Sequence, residues 1–571
     1  MRSPSRGRLL ILLTVMLMAL VGVVARVSML QVRQTSAYVE LGWEQRVRTV
    51  TIAAERGSIL DRAGTALAMS LDARDVYADP RYVTQPSDVA DRIAEVLGLD
   101  RPAERDLRGD LRADGSFVYV ARRVDREVAD ELAEARLPGI GFLPASARYY
   151  PAAGVASQLL GFTNVDGLGI AGLEKQYESL LAGTPGERTS ELSPLGQVIA
   201  GGLDVVEEPV PGNDLVLTID REIQFQAQQY LRRAVRDNDA SGGTIIVMDP
   251  RTGDIYAMAS YPWFDPNRFG DFDAATYRNR SVSDMWEPGS VNKVITAAAA
   301  IETGAVGLSD VFTVPDEREV GGFTIHDSHP HPTMAMTLAD IIAKSSNIGS
   351  SLVADRVGDE QMAASFAAFG FGRPTGVGFP GEQSGIMPPL ANWTDATRAT
   401  LSFGSGVAVT PLQMASVYAT VANGGTWVQP RLVLGTRGRD GMVRLADPSM
   451  TQEVVSPRTA EALTQMLAYA VEDGTGGSAQ IPGYQVAGKT GTAKKLEDGE
   501  YVRRYVASFI GFLPASAPRV VVAAILDEPA TIYGGVAAAP LFQDVARYTI
   551  QRLGIESAPS VPLPRDALLL P

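Results

Sequence analysis

A chain of 571 residues, 45% hydrophobic and 20% charged, is too long for a single core and too apolar to be wholly disordered, so two or three domains are expected. Its formal net charge of -15 weighs against a general nucleic-acid binder, which needs a basic surface. Zero cysteines exclude disulfides, thiolate metal sites and cysteine nucleophiles. Only six of the 51 basic residues are lysines: Lys175, Lys293, Lys344, Lys489, Lys494 and Lys495. A lysine ammonium can be deprotonated by its surroundings and a guanidinium cannot. Each lysine therefore raises the question of what arginine could not have done there.

Leu9 to Ala25 is an uncharged apolar run between Arg8 and Arg26. As a helix it reaches about 25 Å, close to the hydrocarbon core of a bilayer. A transmembrane helix is expected over 9–26, able to continue past Arg26 to Val32. Arg2, Arg6 and Arg8 precede it with no acid, which places residues 1–8 in the cytoplasm and the rest outside. A cleaved signal peptide is the alternative, but the run exceeds the usual signal core. No second such run follows.

Residues 27–205 read as a first soluble block, with turn signals at Asp61–Gly64 and Asp166–Gly167 and helical patterns at Asp88–Leu99 and Arg126–Arg136. Residues 206–214, rich in Pro, Gly and acid, read as a linker, and 215–553 as a second domain. That domain opens with a strand at Leu215–Ile219 and an amphipathic helix at Arg221–Asp237. A hairpin is expected at Gly243–Met248 and Ile255–Ser260, and a buried Ala-rich helix at Val294–Ile301. A helix at Thr337–Ile342 follows, then strands at Tyr484–Ala487, Ala507–Phe512 and Val520–Leu526 and a closing helix near Leu541–Leu553. The four prolines between Ser557 and Pro571 point to a disordered tail over 554–571. The fold class is multidomain α+β.

Chemistry gathers at three places. In Glu287-Pro288-Gly289-Ser290-Val291-Asn292-Lys293, Pro288 and Gly289 suit a turn into a helix, placing Ser290 in its first turn. Residues i and i+3 share a helix face, so Lys293 lies beside the Ser290 hydroxyl. A lysine whose proton affinity is lowered by burial can activate a serine as nucleophile. A capping serine with a surface lysine is the plain alternative. Lys344-Ser345-Ser346-Asn347 supplies another hydroxyl and an amide, and Gly488-Lys489-Thr490-Gly491-Thr492 offers backbone N–H groups and a cation for a carboxylate. Ser-x-x-Lys, Ser-x-Asn and Lys-Thr-Gly in this order are the signature set of penicillin-binding proteins and β-lactamases.

On these residues the chain resembles the class B penicillin-binding proteins, membrane-anchored peptidoglycan D,D-transpeptidases. Glu55 to Gly64 and the pair Gly161–Asn164 and Gly172–Glu174 resemble pedestal stretches. Phe369–Gly372, Phe379–Glu382 and Phe403–Gly406 with Val409–Gln413 resemble parts of the catalytic domain. Phe403–Gly406 and Ala487–Lys495 are most similar to the septal, cell-division branch. Val291-Asn292 departs from the pattern, since many relatives have an apolar second residue, and no accessory repeats follow the catalytic domain. The resemblance implies an elongated pedestal and a β-lactamase-like domain with a mainly antiparallel sheet flanked by helices. It implies a Ser290 acyl-enzyme, Lys293 as base, Ser345 and Asn347 relaying the proton and holding peptide, and Lys489 and Thr490 on the terminal carboxylate. Gly491 and Thr492 bind substrate, and the N–H groups of Ser290 and Thr492 form the oxyanion hole. No cofactor or metal is implied. Implied partners are peptidoglycan stem peptides, β-lactam antibiotics, the membrane, and a polytopic glycosyltransferase (FtsW-like) with other division proteins.

His326, His329 and His331 sit within six residues, but Pro330 and Pro332 preclude helical ligand spacing, and a loop toward Ser345 is the preferred reading over zinc. Lys494 and Lys495 read as a solvated hairpin. Glu287 reads as a turn acid, although a role beside the nucleophile is open. An elongation-specific transpeptidase, a D,D-carboxypeptidase or β-lactamase, and a catalytically idle β-lactam sensor are the alternatives. Slow or rapid turnover of penicillin separates the hydrolases, and the intact residue set argues against an idle site.

Overall fold

The computed structural model describes residues 5–33, 43, 46–191, 199–497 and 499–564. Its first element is the helix Ser5–Arg33, which passes Arg26 as expected. Among the described residues it is the one helix long and apolar enough to cross a membrane. Its leucines and valines from Leu9 to Val27 are exposed, uncovered by the rest of the chain.

The second domain is built around a five-stranded sheet. Its order is Ile255–Tyr261, Gly242–Met248, Val520–Asp527, Glu500–Leu513 and Ala487–Glu497, antiparallel throughout. Both faces are buried, and alternation along Gly242–Met248 shows how. Ile245 and Val247 enter one core with the helices Arg221–Asp237 and Gly534–Leu553. Ile246 and Met248 enter the other with the helices Lys293–Glu302, Pro411–Ala422 and Pro457–Glu472. A strand covered on both faces reads as a continuous apolar run. Arg221–Asp237 starts where the Asp220 carboxylate accepts from the N–H of Glu222 and Ile223, and it buries Ile223, Ala227, Leu231 and Val235 as a stripe at i, i+4 spacing.

The pedestal contains the strands Ile59–Leu60, Ala66–Ala78, Val118–Asp125 and Ile140–Tyr149, with the last two both paired to Ala66–Ala78. A second, three-stranded sheet joins Val47–Ile52, Gly186–Glu191 and Asp204–Glu207. The two stretches singled out in the pedestal sequence meet here. Arg56 Nε lies 2.7 Å from Glu174, which is fully buried, and Arg148 Nε holds the other oxygen at 2.7 Å. Burying that carboxylate is tolerable only because both oxygens are paired.

Two expectations need correction. Residues 206–214 are not an open linker. Val206 and Glu207 belong to a strand, Val210 bridges Thr184, and the Gly212 N–H donates to Glu55 O at 2.9 Å. Prolines and glycines here serve an ordered return path, because backbone groups find partners on both sides. The tail is not disordered through its described part. Leu563 is buried, Val561 N–H donates to Gln485 Oε1 at 2.6 Å, and Ser516 Oγ donates to Pro559 O at 2.5 Å. Residues 565–571 lie outside the described residues.

Candidate active site

The nucleophile segment begins on a 3₁₀ turn, Gly289–Asn292, that runs into the helix Lys293–Glu302. Sequence spacing placed Ser290 in an α-helical first turn. The tighter turn eclipses i and i+3, and Lys293 Nζ lies 3.0 Å from Ser290 Oγ. Gly289 has φ +56, and a Cβ there would stand 2.9 Å from Thr492 O. Only glycine fits both the left-handed backbone and that approach to the Lys-Thr-Gly strand. The turn is braced from below: Tyr418 Oη donates to Val291 O at 2.9 Å, Asn292 Nδ2 to Leu401 O at 2.8 Å, and Gly289 N–H to Gly404 O at 3.1 Å. The unusual Asn292 thus replaces apolar packing with a buried hydrogen bond.

Ser345 terminates the helix Leu338–Lys344 in a left-handed conformation, φ 61. That turn aims three oxygens at one amine. Lys293 Nζ donates to Ser345 O at 2.5 Å, to Asn347 Oδ1 at 2.8 Å and to Ser345 Oγ at 3.2 Å. Lys293 is 1% exposed. Burial holds its ammonium well below the usual lysine range, and the nearby charge of Lys489 presses in the same direction, while Asp327 partly opposes both. An amine held this way reaches its free-base form at far lower pH than an exposed lysine.

The third segment does not follow a strand; it is one. Ala487–Glu497 is the edge strand of the sheet, and the expected strand at Tyr484–Ala487 is only its approach. An edge leaves one row of N–H and C=O groups for an extended peptide. Lys489, also 1% exposed, lies 3.2 Å from both Thr490 O and Thr490 Oγ1 and 3.4 Å from Thr475 Oγ1. Burial pulls it down to about 7. Gly491 is buried, and Thr492 Oγ1 accepts from Gly534 N–H at 3.2 Å.

Ser290, Ser345 and Asn347 therefore converge on Lys293, and Lys489, Thr490, Gly491 and Thr492 line the adjoining edge. Lys344 is exposed and turns away. Lys495 is not a solvated hairpin residue, since it pairs with Asp527 at 3.0 Å and Glu528 at 2.5 Å. Glu287 accepts from Gly406 N–H at 2.9 Å and Tyr501 Oη at 2.8 Å, and burial raises its carboxyl above the usual range. Among the described residues no cluster of His, Asp and Glu has metal-binding geometry. Two contributors were given no role in the site from the sequence. Thr475, in a glycine-rich loop, shares a 2.7 Å hydrogen bond with Thr490. Asp327, hidden among the histidines, accepts from Asn347 N–H at 2.5 Å.

A serine and a buried lysine on one turn, faced by a second hydroxyl and an open strand edge, define the acyl-transferring serine enzymes that share the β-lactamase-like domain. Comparison with known proteins narrows the class. Residues 243–547 match the penicillin binding protein transpeptidase domain and residues 51–217 the penicillin-binding protein dimerisation domain. The chain is 36% identical over 550 residues to penicillin-binding protein PbpB of Mycobacterium tuberculosis, covering 90% of this chain and 80% of that protein. It is 34% identical over 553 residues to peptidoglycan D,D-transpeptidase FtsI of Escherichia coli, covering 95% and 91%. The crystal structure of penicillin binding protein 3 from Mycobacterium tuberculosis complexed with aztreonam superposes with TM-score 0.71 at 31% identity, over 90% of this chain and 99% of that one. The chain belongs to the class B penicillin-binding proteins, in their septal branch.

Proposed function

We infer that this chain is a serine-type peptidoglycan D,D-transpeptidase of septal wall synthesis, with Ser290 as nucleophile and Lys293 as its base. The observation that carries the reading is a buried Lys293 amine 3.0 Å from the Ser290 hydroxyl, in surroundings that lower its proton affinity. Lys293 takes the Oγ proton as Oγ attacks the D-Ala–D-Ala carbonyl carbon. The N–H groups of Ser290 and Thr492 stabilise the oxyanion. The C–N bond then breaks, and the terminal D-Ala leaves as an amine carrying a proton relayed through Ser345. An amine from a neighbouring stem peptide attacks the Ser290 ester, gives up its proton, and returns Oγ–H to the enzyme. Lys489, with Thr490, holds the terminal carboxylate, Gly491 lets the backbone approach, and Asn347 holds the peptide. A β-lactam acylates the same serine, a reading supported by the related structures complexed with aztreonam and ampicillin.

The apolar helix over residues 9–26 anchors the chain, with residues 1–8 in the cytoplasm. Residues 27–205 form a pedestal and 215–553 the catalytic domain outside the membrane. The pedestal carries no catalytic set and serves as a docking module for a polytopic FtsW-like glycosyltransferase and other division proteins. Ser290→Ala abolishes labelling by a fluorescent penicillin in folded protein, and persistent labelling refutes the nucleophile. Lys293→Arg keeps the charge but slows acylation about 10²–10⁴-fold; near-normal acylation refutes the base.

A further inference from the structure

The reading of Lys293 as base leaves open what keeps its acceptors in place. Ser345 is a non-glycine residue at φ 61, a conformation that persists only where its surroundings hold it. Part of that hold is local, since Ser346 Oγ caps the next helix, Asn347–Val357, by accepting from Gly349 N–H at 2.8 Å. The rest comes from another segment. Asp327 Oδ1 accepts from Asn347 N–H at 2.5 Å and Ile348 N–H at 3.1 Å. A carboxylate there satisfies two free N–H groups of the first turn and meets the positive end of the helix dipole. Next to Asp327, the His326 carbonyl accepts from Asn347 Nδ2 at 3.0 Å. With its nitrogen engaged there, the Asn347 amide turns Oδ1 toward Lys293, 2.8 Å away.

Asp327 is itself braced. Its Oδ2 lies 3.0 Å from His331 Nε2, and the side chains are only 9% and 14% exposed. His331 Nδ1 lies 2.8 Å from Pro332 O. Both ring nitrogens thus face oxygen acceptors, and only the doubly protonated imidazolium has a hydrogen for each. The charged groups around this ring are Asp327 and Asp316, whose Oδ1 accepts from His331 N–H at 2.8 Å, with Lys293 beyond Asp327. The Pro332 carbonyl raises the imidazole above its ordinary value, burial opposes it, and Asp327 and then Asp316 add to the rise.

We propose that Asp327 is a positioning residue for the acylation step, fixing the Ser345–Asn347 turn against Lys293, and that His331 braces it. It touches no reacting atom. It acts by geometry, through the first turn of the helix, and by charge, since an anion near Lys293 favours the protonated amine. His331 partly neutralises that anion. The two residues therefore push the Lys293 proton affinity in opposite directions while both support the turn.

The test is the rate of acylation by a fluorescent penicillin against pH, on the full-length protein in detergent. Asp327→Asn slows acylation about 10–100-fold and moves the midpoint of the acid limb to lower pH. His331→Ala slows it several-fold and moves that midpoint to higher pH. Asp327→Glu restores much of the rate and returns the midpoint toward wild type. Asp327→Asn with wild-type rate and midpoint overturns the proposal. A slower enzyme with an unmoved midpoint also overturns it, because a purely structural role predicts that. Should Asp327→Asn fail to fold, a midpoint near wild type for Asp327→Glu together with a raised midpoint for His331→Ala is required instead, and its absence overturns the proposal equally. Failure of the underlying reading is separate: it shows as labelled Ser290→Ala or an unimpaired Lys293→Arg, whatever the Asp327 variants do.

Discussion

Lys489 is a lysine kept where burial works against its charge. Unfolded, it titrates near 10.5; folded, burial pulls it to about 7. Between those values the unfolded chain holds a proton the folded chain has shed, so stability rises with pH across that window. Below about 7 both states are protonated, and the folded protein carries the whole desolvation penalty. Lys489→Met removes that penalty along with weak bonds to Thr475 and Thr490. The variant is expected to be more stable by about 2–4 kcal/mol at pH 6, with the gain shrinking toward pH 10. It is expected to lose most penicillin labelling, because no cation remains for the carboxylate. Thermal melts at the two pH values check the first claim, and an equal or lower melting temperature at pH 6 contradicts it. Lys293, depressed in the same direction, shows the same conflict between stability and function. Scarcity of lysine in the sequence singled out these positions; only burial explains why arginine would fail there.

At the scale of elements, patterns that depend on one segment were legible and those that depend on two were not. The helix Arg221–Asp237, the first hairpin and the Ala-rich helix follow from apolar spacing and capping residues, and they form where expected. Ser290 and Lys293 were legible because three residues of one turn suffice. Asp327 and Thr475 were not, because their partners at Asn347 and Thr490 lie 20 and 15 positions away. The closing helix was expected near Leu541 but starts at Gly534, since Pro540 interrupts the pattern without ending the helix. That early start matters for the site. A Cβ on Gly534 would stand 2.3 Å from both Gly491 O and Ser508 O, so the helix end rests directly on the Lys-Thr-Gly strand. Gly534→Ala is expected to cost about 1–3 kcal/mol by overpacking and to slow acylation as the strand shifts. By contrast Gly554, at φ +60 with open space around it, pays only the left-handed backbone term of about 1 kcal/mol on substitution by Ala. Melting temperature and acylation rate measured on both variants separate a strand-coupled loss from a purely backbone one.

Across the whole molecule, pedestal and catalytic domain share one core, which bears on where the chain can be cut. Ile59, Leu67, Tyr150, Phe162 and Leu173 lie in the same buried cluster as Met248, Phe264 and the nucleophile helix. Phe162 stacks on Phe269 at 4.2 Å and meets Phe264 and Tyr277 edge-on. Polar contacts cross the same seam. Asn267 Oδ1 accepts from Tyr150 N–H at 2.9 Å, Gln158 Nε2 donates to Pro262 O at 2.7 Å, and Gln228 Nε2 donates to Gly154 O at 3.0 Å. Leu215 and Val216 pair with Ile59 and Leu60 on one side and with the strand Val433–Arg437 on the other. A chain starting at residue 215 would therefore uncover an aromatic surface and strip one edge from a strand that begins the catalytic domain. Each exposed core side chain forfeits about 1.5–3 kcal/mol, comparable in sum to the whole stability of a domain. We expect residues 215–571 alone to aggregate or to melt well below residues 46–571, and to label poorly with penicillin at temperatures where the longer chain is intact. Equal melting temperatures and labelling for the two chains would mean that the shared core adds little and that the catalytic domain folds by itself.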